Sequence, residues 1–319
     1  MNVIPEQHLS QIVLPIIAAA IISTTLLFSG VSLWQFSIIW LILSNFAQAP
    51  LFIVGLRYGS LPALIAGGLS LALISFTLST TETLSFENIV NISLWHILPV
   101  GIVTHLMLTY QKIDNTFKVW APPSIVITGI IALAYGLTLS VPLFQNTLGG
   151  IENTFIEQVL AGIPAEKAEQ IKESFQILVP FWPSIQVIPW LATLLTNVWI
   201  AQTLLNKIKK SVRPPLRFSD AYIPTGFLMI LAFSGVIGYL FFESEIGKIA
   251  SNIAIVTLFP YFLMGLGTIR LFVQLKYGMI GFTFVMLLFL MIPALTVVVT
   301  MLGIFEPWLN LRKKLLQQK

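Results

Sequence analysis

The stretch Ile89–Leu108 contains no Asp, Glu, Lys or Arg, and apolar runs of the same kind recur from one end of the chain to the other. A helix needs about 20 such residues to cross the ~30 Å hydrocarbon core of a bilayer. The runs are broken by Gly, Pro and charged loops, not by the two-residue alternation of a barrel strand. They specify an all-α, polytopic transmembrane helical bundle. Composition agrees, with 9% of residues charged and 56% hydrophobic, against roughly a quarter charged in soluble domains. No soluble domain stands out, so residues 1–319 read as a single integral membrane domain.

Candidate crossings cover residues 12–28, 34–56, 61–78, 89–108, 120–143, 177–205, 222–242, 249–273 and 279–305. Pro50 predicts a kink in the second, because it removes a backbone donor. Arg57-Tyr58-Gly59 and Lys276-Tyr277-Gly278 read as tight turns between neighbouring spans. Small residues at Ala19, Ala20, Ser23, Thr24 and Gly67-Gly68 let a second helix approach closely. Residues 145–176 are the only long polar stretch. Their apolar positions recur at helical spacing while Glu152, Glu157, Glu166, Glu169 and Glu173 lie mostly off that stripe, which predicts two short amphipathic helices in an extracytoplasmic loop. The residues before the first run hold no Lys or Arg, so that run is expected to be a retained span and not a cleaved signal peptide.

Orientation follows from the basic loop at 206–220, which holds Lys207, Lys209, Lys210, Arg213 and Arg217 between two apolar runs. There, Lys and Arg mark the cytoplasmic side of a membrane and not a nucleic-acid patch. With the N-terminus inside, Arg57, Lys112, Lys118, Arg270 and Lys276 join that loop on the inner face. Lys167, Lys172 and Lys248 fall outside with most of the acidic residues. Nine crossings put Arg312, Lys313 and Lys314 outside, against the rule. The expectation is therefore eight or nine spans in a bacterial inner membrane.

Polar side chains at membrane depth are costly and mark candidate sites. They are Asn45, Gln48, Asn91, His96, His105, Gln186, Asn197, Gln202, Asn252 and Arg270; no Asp or Glu sits well inside a predicted span. This argues against a carrier built on a carboxylate relay and against an aspartyl intramembrane protease. At about 100° per residue, Asn91, Trp95 and His105 share one face of the fourth span, and His96 points away. Trp182, Gln186, Trp190 and Asn197 share a face of the sixth. If the two stripes converge, Asn91, Trp95, His105, Gln186, Trp190 and Asn197 form an aromatic and amide pocket for a small uncharged or zwitterionic solute. The plainer alternative is that the amides bridge helices while Trp sits in the interfacial belt. Ser93 and His96 are three apart, the one spacing that raises nucleophilic catalysis, although such hydroxyls usually bond back to their own helix. No catalytic residue, metal ligand set or cofactor motif is assigned; the absence of Cys removes thiolate sites.

Several stretches in order, APLFIVGLRYGSLPALIAGG (49–68), RPPLRFSDAYIP (213–224), MGLGTIRLF (264–272) and TMLGIFEPWLNLRKK (300–314), with Asn197 between the first two, resemble the YybS-like family of bacterial membrane proteins. Glu306-Pro307 stands where that pattern has an Asp after its Leu-Gly pair. The family is distantly similar to substrate-capture subunits of energy-coupling-factor transporters and to MreD. The resemblance implies a bundle whose early helices dock a membrane partner subunit and whose later helices enclose a solute. The expected function is thus a non-enzymatic small-solute binding or transport component. The alternative is an envelope scaffold, with an intramembrane enzyme a remote third.

Overall fold

In a computed structural model, described for residues 9–32, 43–79, 86–113, 117–120, 123–140, 177–214, 223–292 and 294–317, the apolar runs are helices. Among the described residues five are long and apolar enough to cross a membrane: Ser60–Thr77, Ile89–Leu108, Pro123–Ser140, Val179–Lys207 and Glu245–Val273. Shorter apolar helices cover Gln11–Leu27, Gly226–Leu240 and Ala294–Leu309. The protein is a multi-span helical membrane protein. The expected amphipathic loop at 145–176 and the basic-loop residues from 215 to 220 lie outside the described residues. The chain groups into two compact units, residues 1–176 with 189–215 and residues 177–188 with 216–319.

In the first unit, α1 (Leu9–Ser32) docks on α3 (Ser60–Ser79) through its small residues. Ala19, Ala20 and Ser23 are buried, and Thr24 Oγ1 donates to Ser70 Oγ at 3.0 Å. Between them, α2 (Gln48–Tyr58) begins after a turn at residues 45–47, just before the Pro50 where a kink is expected; residues 34–42 of the expected second span lie outside the described residues. In a continuous helix the Pro50 ring would clash with the carbonyl of Phe46. Opening the turn avoids this. Gly59, at φ 110, ends α2 and lets the chain reverse into α3, as the Arg57-Tyr58-Gly59 signal anticipates.

The fourth span is not one regular helix. It consists of α4 (Phe86–Ile92), a π-helical turn at Ser93–Ile97 and α5 (Leu98–Leu108). Pairing of Gly67 with Ile97 and of Leu64 with Gly101 makes it antiparallel to α3. The loop holding Lys112 and Lys118 is a short antiparallel ribbon, β1 (Tyr110–Ile113) with β2 (Phe117–Trp120), an addition to the all-helical expectation. Next come α6 (Pro123–Ser140) and α7 (Trp182–Lys207).

The second unit holds α8 (Gly226–Leu240), α9 (Glu245–Met291), α10 (Ala294–Leu309) and α11 (Leu311–Gln317). Gly278 interrupts α9 at φ 66, the position of the expected Lys276-Tyr277-Gly278 turn. The continuous span expected over 279–305 is two helices, the first ending at Met291 and the second starting at Ala294, on either side of Pro293. A residue before proline is pushed out of the helical region. Gly265 lies against the Val299 carbonyl and Gly303 against that of Tyr261, so α10 runs antiparallel to α9 with the two backbones touching. Side chains at either glycine would separate them.

Candidate functional site: a polar junction at two prolines

The carbonyl of Trp95 would, in a regular helix, accept the N–H of residue 99. Residue 99 is proline and has none. The helix widens, with the Leu98 N–H reaching back to the Ser93 carbonyl. The stranded Trp95 carbonyl accepts Trp190 Nε1 at 2.8 Å and Gln48 Nε2 at 3.0 Å. Gln48 Nε2 also lies 3.3 Å from the His96 carbonyl. In hydrocarbon no water is at hand, so freed carbonyls must find donors on neighbouring helices.

A second carbonyl loses its helical partner at the turn just before Pro50. With the turn opened, the Ala49 N–H bonds to Phe46 at 3.0 Å instead of reaching Asn45. Asn197 Nδ2 donates to the Asn45 carbonyl at 2.7 Å and to Thr193 of its own helix at 2.8 Å. Two prolines therefore explain why an indole and two amides meet where they do. The Trp95 and Trp190 rings lie edge to face, 5.8 Å between centroids and 87° between planes, a geometry worth about 0.5–1.5 kcal/mol beyond burial.

These bonds also fix which way the amides point. A side-chain oxygen facing two carbonyls would be repelled, so each –NH2 faces the backbone and each oxygen faces away. Gln48 is 2% exposed and Asn197 0%. Among the described residues no donor reaches Gln48 Oε1, Asn197 Oδ1 or the buried Nδ1 of His96. Asn252 in the second unit shows the satisfied alternative: its oxygen accepts the Ser184 N–H at 2.9 Å and its Nδ2 donates to the Pro180 and Lys248 carbonyls. It caps the start of α7 and is spent on that.

The six residues expected to line one pocket are not brought together as a set. Trp95 and Trp190 touch, and Asn197 is buried at the Asn45 turn. Asn91 is half-buried two residues before the π-helical segment, His105 is exposed, and Gln186 is half-buried within the second unit. The reason is helical phase. The wide turn inserts a residue relative to a regular helix, which rotates the residues downstream by about 100° and carries His105 off the face of Asn91 and Trp95. Gln48 and His96 belong to the junction, although neither is among the six. A proline four residues beyond a membrane-depth carbonyl is the sequence signal that points to them. Ser93 donates to the Ile89 carbonyl at 2.8 Å, so its hydroxyl is used by its own helix.

One end of the first unit is basic. Arg57 Nη1 donates to the Lys210 carbonyl at 3.1 Å, Arg213 Nη1 to the Met107 carbonyl at 2.6 Å, and Gln202 Nε2 to the Pro214 carbonyl at 3.1 Å. These bonds gather the ends of α2, α5 and α7, three segments that the charge pattern assigns to one side. Burial lowers the Arg213 pKa to about 10, which leaves it charged at neutral pH. Among the described residues no group of three or more His, Asp or Glu is placed to hold a metal ion.

No curated protein and no solved structure matches the chain. The model of the family described as predicted membrane protein (DUF2232) matches residues 16–306. That match runs from the first helix through the buried Glu306 of α10, and the chain belongs to the DUF2232 family of predicted membrane proteins.

Proposed function

We propose that this protein is a non-enzymatic small-solute binding or transport component, with eight or nine crossings of a bacterial inner membrane and its basic loop ends on the cytoplasmic side. The observation that carries the reading is the pair of buried, unpartnered oxygens, Gln48 Oε1 and Asn197 Oδ1. Burying an acceptor without a donor costs free energy, on the order of 1–3 kcal/mol each. A solute that donates hydrogen bonds recovers that cost. The junction offers acceptors and the π faces of Trp95 and Trp190, which suits an amine, amide or polyol and repels an anion. No carboxylate relay is needed if a partner subunit supplies the energy, in keeping with the resemblance to substrate-capture subunits.

The test is mass spectrometry of the detergent-extracted protein, then thermal unfolding with a panel of amines, amides, polyols and carboxylates. A donor-rich compound should co-purify or raise Tm, and Asn197→Ala and Gln48→Met should each abolish the effect. Repeated preparations without such a compound, and a panel without effect, overturn the proposal.

A scaffold role is the second reading, and one observation favours it. Gln48, Trp190 and Asn197 each donate a side-chain N–H to a backbone carbonyl of another segment, as a purely structural glue would require. Stability lost in the variants without any ligand dependence would select this reading.

A further inference from the structure

The basic end of the first unit is built around a lysine in a conformation that suits glycine. After Lys207, the last residue of α7, the chain closes with Lys210 N–H on the Leu205 carbonyl at 2.8 Å and Lys209 N–H on the Asn206 carbonyl at 3.0 Å. This is the paired closure in which the penultimate residue is left-handed, and Lys209 has φ 56. Glycine takes that position without strain, and a side chain with a Cβ does not. A strained residue held by its surroundings points to a role for the side chain it carries.

The surroundings hold it firmly. Arg57 donates to the carbonyl of Lys210, Arg213 is buried on the carbonyl of Met107, and Gln202 bonds to Pro214. Both guanidinium groups are thus directed at backbone carbonyls. The side chains of Lys207, Lys209 and Lys210 are left exposed, and the ion pairs seen among the described residues, Lys248 with Glu245 and Arg312 with Glu306, do not involve them. The adjoining ribbon places Lys112 and Lys118 at directly paired register positions, beginning three residues after Met107.

The height of the loop selects its partner. The helical stretch Val179–Lys207 has 29 residues, about 43 Å at helical rise and longer than the ~30 Å hydrocarbon core. With three exposed lysines at its C-terminal end, the excess length fits an end that reaches into the headgroup layer. We propose that Lys207, Lys209 and Lys210 form a fixed binding site for the phosphodiester headgroup of an anionic membrane lipid, with Arg57, Gln202 and Arg213 holding the loop in place for it.

The test uses the full chain in mixed micelles doped with phosphatidylglycerol or phosphatidylcholine, read by thermal unfolding and lipid titration. Phosphatidylglycerol should raise Tm and phosphatidylcholine should not. Lys207→Gln, Lys209→Gln and Lys210→Gln should each weaken phosphatidylglycerol binding by about fivefold, and the triple variant should lose the Tm increment. Lys209→Gly separates charge from folding: it should raise Tm in phosphatidylcholine, because the backbone is relieved, while reducing the increment from phosphatidylglycerol. An undiminished increment in the triple variant or in Lys209→Gly overturns the proposal. So does an equal increment from inorganic phosphate, which assigns the lysines to a free anion, or one from polyglutamate without phosphatidylglycerol, which assigns them to an acidic protein.

Discussion

Trp190 donates its indole N–H to the carbonyl of Trp95 at 2.8 Å, and that carbonyl lacks its helical partner because residue 99 is proline. The bond answers a need created in another helix. Removing the need should therefore weaken the dependence on the bond. Trp190→Phe keeps an aromatic ring and removes the donor; it should destabilise by roughly 0.6–1.7 kcal/mol, the range for hydrogen bonds between membrane helices. Combined with Pro99→Ala, which restores a backbone N–H to the helix, the same change should cost less. Unfolding of the four proteins in a double-mutant cycle reads the coupling directly.

Asn197 makes a comparable claim at the other proline. Asn197→Asp removes the donor that serves the Asn45 carbonyl and places a carboxylate in a 0% exposed position. It should destabilise more than Asn197→Ala, because an unpaired buried charge adds a desolvation penalty to the lost bond. Thermal unfolding in detergent gives the order of the two variants. Asn197→Ala as the worse of the pair would contradict the assigned direction of the amide.

In the second unit, Gly303→Val should separate α9 from α10, since the glycine faces the Tyr261 backbone with no room for a Cβ. Overpacking of this kind costs about 1–3 kcal/mol or more. Gly267→Ala is the control, with nothing within 4 Å of the added carbon; it should be neutral or slightly stabilising. Yield of monodisperse protein and Tm measure both.

Glu306 accepts Arg312 in a two-pronged pair, with Nε on Oε1 at 3.0 Å and Nη2 on Oε2 at 3.3 Å. The pair folds α11 back at Asn310, whose φ is 50. The sequence places Glu306 just past the last expected span; the structure places it buried inside α10. Glu306→Gln should loosen α11 and speed proteolysis after Arg312 and Lys313. The exchanged pair Glu306→Arg with Arg312→Glu should restore protection in part. Limited trypsinolysis, with cleavage sites read by mass spectrometry, measures both effects.

Much of this molecule is legible without coordinates where one residue acts locally. The reversal at Gly59, the break at Gly278 and the small-residue docking of Ala19, Ala20 and Ser23 follow from steric rules that need no neighbours beyond the helix itself. The six-residue pocket is legible only in part. Trp95 and Trp190 do meet, but His105 leaves their face because the π-helical turn shifts the phase, and periodicity assumes a constant number of residues per turn. Asn252 cannot be told from Asn197 by sequence, since both are amides in apolar helices. One is satisfied on all sides and the other is left with an unpartnered oxygen.

The sequence by itself determined that the chain lives in a membrane and that its apolar runs, where described, are helical, because hydrocarbon forces each such run to satisfy its own backbone. It also places prolines at 50 and 99, where a missing N–H leaves the helix one bond short. Only the tertiary structure decided which side chain repairs each failure. Gln48, Trp190 and Asn197 reach carbonyls on segments distant in the chain, and such a choice depends on how helices are placed side by side, information that no local pattern carries.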